Sequence, residues 1–127
     1  MLVEYAGGMK FVTHHRGLEV ASDQPESGGG ENTALTPTEL FVAALPMCVG
    51  VYLVPFARRH GIAVEGLKIE AEYEIADHPR RVGRIGVRIR MPGPLDERQR
   101  AALQRCAEQC LVHNTLHNPP EVSIELA

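Results

Sequence analysis

The chain has no tryptophan and only three tyrosines and three phenylalanines, so few rings are available on which bases could stack. It also lacks an excess of positive charge: 13 Lys and Arg stand against 16 Asp and Glu, giving a net charge of -3 and a pI near 6.1. Nucleic-acid binding relies on a basic surface that neutralises phosphates, so no nucleic-acid partner is expected. Cysteine is scarce and odd in number, three in all. That is a poor framework for structural disulfides, and it suits thiols kept reduced in the cytoplasm. None of the closely spaced ligand pairs of common zinc sites is present, and Gly28-Gly29-Gly30 lacks the Gly-Lys-Ser/Thr ending of a phosphate cradle. No metal or other cofactor is therefore expected. The start, MLVEYAGGMKF, has no basic segment leading into an apolar run, so it does not read as a secretory leader. The expected location is the cytoplasm.

What the chain does have is one long uncharged stretch. Its 127 residues suit a single domain spanning 1–127, large enough to bury roughly two thirds of its unfolded surface. From Leu40 to Ala57 there is no formal charge over 18 residues, about the lower limit for crossing a bilayer. Pro46, Gly50 and Pro55 interrupt the run and strand-like segments flank it, so a buried core helix is the better reading and no membrane partner is expected. Thr36 as N-cap, Pro37 at the first helical position and Glu39 three residues after the cap form a capping box. Apolar residues cover nearly the whole circumference, which predicts burial on all sides. Pro46 lacks the donor for the Val42 carbonyl and should kink the helix just before Cys48. Arg58, Arg59 and Gly61 make a conventional end.

Around this helix the pattern is α+β. MLVEYA, Gly7-Gly8 and MKFVT predict a hairpin with a two-residue turn, and Leu18 to Ala21 a third strand. Ser22 to Ala34 is rich in turn formers with little apolar content, which predicts a mobile loop or lid. Val64 to Ile75 alternates apolar residues with Lys68, Glu70, Glu72 and Glu74, and a partner strand alternates Ile85, Val87 and Ile89 with Arg84, Arg88 and Arg90. These charges read as cross-strand pairs on a solvated face. A second helix is predicted to start near Asp96 and end near Cys110, and EVSIEL is predicted to form a last strand.

Two sulfurs carry the candidate chemistry. Cys48 sits in the greasy helix, where a free cysteine is most often a small packing residue. Cys110 stands at a predicted helix end beside polar residues, an unusual place for packing. Two thiols far apart in sequence can act as an attacking and a resolving pair: a thiolate takes oxygen from an O–O bond, becomes a sulfenic acid, and the second thiol condenses with it. A thiolate needs a nearby cation. Arg16, before Gly17, is the candidate, with Arg58 and Arg81 as rivals. Glu39 is placed to orient such an arginine, although capping alone explains it. Cys106, four residues before Cys110, reads as core or as a back-up resolving thiol. Cys48, Cys110 and His113 form the one set suggesting a three-ligand catalytic zinc; His14, His15 and His117 read as surface histidines.

TPTELFVAALPMC, followed 62 residues later by CLVHNTL, resembles the OsmC/Ohr family of thiol-dependent peroxidases. The likeness extends over the YAGGMKF start, the Gly-rich loop and the long acidic strand, and is nearest to the short, less characterised OsmC-like branch. The resemblance implies antiparallel sheets wrapped around a long central helix in an intertwined homodimer. It implies Cys48 as the peroxidatic and Cys110 as the resolving cysteine, a small hydroperoxide as substrate and a dithiol as reductant. Characterised members carry a glutamate ten residues before the reactive cysteine, where this chain has Thr38. Glu39 lies about 100° further round the helix. A redox-sensing or ligand-binding protein without turnover is the alternative implied.

Overall fold

The computed structural model describes all 127 residues and is α+β, with two antiparallel sheets and one long helix. The chain divides into two compact units, Met1–Ala43 and Ala44–Ala127.

The first unit is built on a meander of β1 (Leu2–Tyr5), β2 (Phe11–His15) and β3 (Leu18–Ser22). The first hairpin is wider than the predicted two-residue turn. Ala6 N–H bonds the Lys10 carbonyl and Lys10 N–H bonds Gly7, so Gly7, Gly8 and Met9 form the tip. The two-residue turn belongs instead to Arg16-Gly17, both at positive φ (54° and 76°), with His15 paired to Leu18. That is the primed-turn geometry that matches strand twist.

The Gly-rich segment, predicted as a mobile loop, is organised around a buried carboxylate. Asp23 is fully buried and accepts from Gln24 N–H (2.8 Å), Glu31 N–H (3.2 Å), Thr33 N–H (3.0 Å) and the Thr33 hydroxyl (2.8 Å). Burial would raise its pKa, but these bonds outweigh it and hold the carboxyl down at about 2. Gly30 passes so close that a Cβ there would lie 2.0 Å from the Gln24 carbonyl oxygen. Lys10 pairs with Glu31 across the loop.

Helix α1 runs over Pro37–Arg59 with both prolines inside it. Its start is the expected capping box: Glu39 N–H donates to Thr36 Oγ1 (3.1 Å), and Thr36 N–H donates to Glu39 Oε2 (2.8 Å). Its end is a Schellman motif, with Ile62 N–H on the Ala57 carbonyl, Gly61 N–H on Arg58, and Gly61 at φ 68°.

In the second unit, Leu45, Val49, Leu53 and Ala57 of α1 form one buried stripe with Val64, Leu103, Ala107 and Cys110. Strands β4 (Lys68–Ala76) and β5 (Arg81–Arg90) lay Ile69, Ile85, Val87 and Ile89 against it, and Arg84–Glu74 (2.9 Å) and Arg90–Glu70 (3.0 Å) pair on the solvated face. Helix α2 (Glu97–Ala107) begins with an Asp96/Gln99 capping box. It ends before Cys110, and a short helix α3 (Leu111–His117) follows, which periodicity did not predict.

Two expectations fail within the chain. Helix α1 is not buried all round, since Met47 is 62% and Val51 70% exposed; by length and composition it could also cross a membrane. EVSIEL forms no strand: Glu121–Ala127 has no partner, and Val122, Ile124 and Leu126 are exposed, Ile124 at 93%. A strand exists only as part of a ladder, and this chain supplies no neighbour for it.

Candidate functional site

The structure brings together the two cysteines singled out by the sequence. Cys48 rides on α1 one residue before the buried Val49, so it projects beside the core stripe and keeps partial access to solvent. Cys110 is the N-cap of α3 and is 0% exposed. Both lie in the second unit, and Cys48 is near enough to perturb the Cys110 thiol.

Their surroundings differ. Cys110 Sγ accepts the His113 N–H at 3.3 Å, as a capping side chain does. Burial pushes the Cys110 thiol up; the His113 amide opposes this, and the adjacent Cys48 raises it further. Cys110 therefore stays protonated at neutral pH. The buried setting also corrects its placement at a polar helix end: the residues around it in sequence are polar, but its sulfur packs with Leu103 and Ala107 in the core.

The second unit also holds a cavity of about 450 Å³, lined by neither cysteine and walled by apolar side chains of α1 and β5, including Leu45, Val49, Ile85 and Val87. His113, Leu116 and His117 close it from α3. His113 Nδ1 is buried there with no hydrogen-bond partner within the chain, and its ring lies 4.2 Å, centroid to centroid, from that of His117. Sequence reading considered His113 only as a metal ligand, and its i, i+4 relation to His117 was the available signal for a paired role. Cys, His, Asp and Glu side chains form no cluster of three suited to a metal ion, so the set Cys48, Cys110 and His113 is not assembled as one.

The other candidates are placed as follows. Arg16 is exposed in the β2–β3 turn of the first unit and makes no hydrogen bond or ion pair. Arg58 approaches Glu65 at 4.0 Å, and Arg81 donates to the Asp77 and Pro79 carbonyls (3.2 and 3.0 Å). Glu39 is engaged in the capping box. Cys106 is only partly buried, and its thiol donates to the Tyr52 carbonyl at 3.5 Å.

A paired buried and accessible thiol is suited to reversible oxidation. Comparison with known proteins places this site in context. The family model described as OsmC-like protein matches residues 29–125. Among solved structures, a Psychrobacter arcticus protein named for a suspected role in osmotic stress and detoxification is 26% identical, with a TM-score of 0.83 over 90% of this chain and 85% of that one. An organic hydroperoxide resistance protein OsmC from Legionella pneumophila is 23% identical, with a TM-score of 0.64 over 91% and 87% of the two chains. An OsmC-like protein from Mycoplasma pneumoniae, 15% identical, shares the fold with a TM-score of 0.73 over 87% and 80%. No curated protein matches the chain. With the family model covering more than half its length, this chain belongs to the OsmC-like family.

Proposed function

We propose that this OsmC-like chain is a cytoplasmic, homodimeric peroxidase that reduces small organic hydroperoxides through Cys48 and Cys110, with a dithiol as reductant. The observation that carries the reading is the nearness of a partly accessible Cys48 to a fully buried Cys110, whose thiol it perturbs. The Cys48 thiolate attacks the terminal peroxide oxygen, the O–O bond breaks, and the alkoxide leaves with a proton as the alcohol. Cys48 is then a sulfenic acid. The Cys110 thiol attacks that sulfur, a disulfide forms and water departs. An external dithiol returns both cysteines to thiols and leaves as its own disulfide.

Arg16 is proposed as the cation that favours the Cys48 thiolate, and Glu39 as the carboxylate that orients it. The homodimer is supported by the apolar face of α1 that one chain leaves uncovered, since surfaces of this kind mark interaction sites. Treatment with one equivalent of an alkyl hydroperoxide should yield a Cys48–Cys110 disulfide on peptide mapping, and Cys48→Ser should abolish peroxide consumption. A wild type that consumes no alkyl hydroperoxide in the presence of dithiol would end this reading.

One observation favours a second reading, a redox sensor or ligand-binding protein without turnover. Thr38 stands where characterised members have glutamate, and Glu39 already spends its carboxylate on the helix cap. A disulfide that forms once but does not cycle with dithiol in steady state would select it.

A further inference from the structure

The cavity of about 450 Å³ is built on the face of α1 turned away from the exposed Met47 and Val51. Its floor is Leu45 and Val49, four residues apart and so on one side of the helix, together with Ala107 of α2. All three are buried. Residues two positions apart on a helix point roughly 200° away from each other. The surface proposed for the homodimer and this floor therefore lie on different sides of α1. Ile85 and Val87 of β5 form one wall, and His113 and Leu116 of α3 form another.

Charge is confined to the rim and is already engaged. Arg84 pairs with Glu74 at 2.9 Å, Glu108 accepts from Gln104 Nε2 at 2.6 Å, and Arg84, Gln104 and Glu108 are all exposed. His117 donates from Nδ1 to the His113 carbonyl at 2.9 Å. One polar atom at depth is left for a ligand: His113 Nδ1, buried and without a hydrogen-bond partner in the chain. A buried polar atom left unpaired is costly, which makes such an orphan a place where a partner binds. Water would satisfy the nitrogen but keep the apolar floor wet, whereas a polar group on an apolar body satisfies both.

We propose that this cavity binds an uncharged alcohol or phenol, with a single hydroxyl hydrogen-bonded to His113 Nδ1 and a compact apolar body on Leu45, Val49 and Ala107. A hydroxyl both donates and accepts, so it matches the ring nitrogen in either tautomer. An apolar lining with few convergent polar groups is the usual make-up of a small-molecule site, and the volume lies within the roughly 300–1,000 Å³ of such sites. Neither cysteine lines the cavity, so the inference does not depend on peroxidase activity.

The test uses the whole chain. Para-propylphenol and para-propylcyclohexanol carry the hydroxyl on an aromatic and an aliphatic ring. Para-propyltoluene has a methyl in its place, and para-propylbenzoate and para-propylbenzylammonium have a charge. Calorimetry reads affinity, and nitrogen NMR reads the His113 ring. At least one hydroxyl compound should bind saturably and more tightly than both charged ones, and should move the His113 Nδ1 resonance. Which of the two binds better assigns the ligand as phenol or alcohol. His113→Phe keeps a ring against His117 and removes the nitrogen. In that variant the affinity for the hydroxyl compound relative to para-propyltoluene should fall several-fold, the scale of one hydrogen bond. Leu116→Trp fills the cavity from its exposed rim and keeps His113, and it should abolish binding. Should His113→Phe not fold, the wild-type resonance and Leu116→Trp still decide. The inference is overturned if neither hydroxyl compound binds, if a charged compound binds as tightly, or if binding leaves His113 Nδ1 unmoved. An unchanged relative affinity in His113→Phe, or native binding by Leu116→Trp, would also overturn it. So would an affinity that falls as protein concentration rises, in step with the mass from light scattering, by showing a second copy in the cavity.

Discussion

Asp23 shows how much one buried side chain can determine. Its four accepted hydrogen bonds come from residues one, eight and ten positions away, so a single carboxylate fixes both ends of the Gly-rich loop. Replacing it by Asn turns one acceptor into a donor that faces N–H groups, and Asp23→Asn should lower the urea midpoint at pH 7. The pH dependence follows from the sign of the shift. The folded carboxyl titrates at about 2 against an ordinary 3.8, so its stabilisation is complete above pH 3.8 and is lost as pH falls toward and through 2. Wild type should therefore lose more stability than Asp23→Asn between pH 4 and pH 2. Parallel losses would mean that the loop does not depend on the charge. Thr33→Val removes the hydroxyl bond alone and should cost about 1–2 kcal/mol. Nothing in S-D-Q-P distinguishes Asp23 from an ordinary turn residue, because its partners are set by the path of the loop. That is why the segment read as mobile. Cys48 and Cys110, by contrast, were legible as a pair, although the reason for Cys110 was different: it is buried, and it caps α3. Brief alkylation at neutral pH should accordingly modify Cys110 last of the three cysteines, as mass spectrometry can check.

At the scale of elements, local rules carried far where each element is stabilised by its own residues. The caps of α1 and α2 involve contacts three residues apart, and the β4–β5 hairpin follows its alternation with Glu74 beside Arg84. Helix α3 and the real hairpin turn at Arg16-Gly17 escaped notice, since seven residues give too short a period to read and Gly7-Gly8 looked the stronger turn. The capping box gives a way to divide the two roles of Glu39. Thr36→Ala should cost about 1 kcal/mol by leaving the Glu39 N–H without its side-chain acceptor. Glu39→Gln keeps the box, because glutamine serves at that position as well as glutamate. Its stability should change by less than about 0.5 kcal/mol. Peroxide consumption then reports on the carboxylate alone: unchanged turnover assigns Glu39 to the cap, and a fall of tenfold or more assigns it to the proposed chemistry.

For the whole molecule, the unfinished features of one chain point in the same direction. Met47 and Val51 of α1 stand exposed on a helix whose composition implies burial all round, and Val122, Ile124 and Leu126 alternate along a segment with no strand beside it. A sequence encodes the assembled protein, so apolar patterning that one chain leaves uncovered is best explained by a partner. If the proposed homodimer forms, the complement of both failed expectations, the all-round buried helix and the last strand, lies in the second copy. Contacts between subunits have no sequence offset to mark them, and this part of the fold was not legible from local rules. If the proposed homodimer covers these surfaces, a charge in either should disrupt it. Met47→Glu and Ile124→Glu should each shift the mass measured by light scattering from dimer to monomer at micromolar concentration, with the second helix content retained in circular dichroism. Wild type that is monomeric at the same concentration would refute the dimer. In a monomeric variant, a peroxide-induced Cys48–Cys110 disulfide forming at the native rate would show that the thiol pair is self-sufficient. A disulfide that no longer forms would mean that the second copy contributes to activating Cys48, and would move the search for the activating cation to residues brought in by that copy.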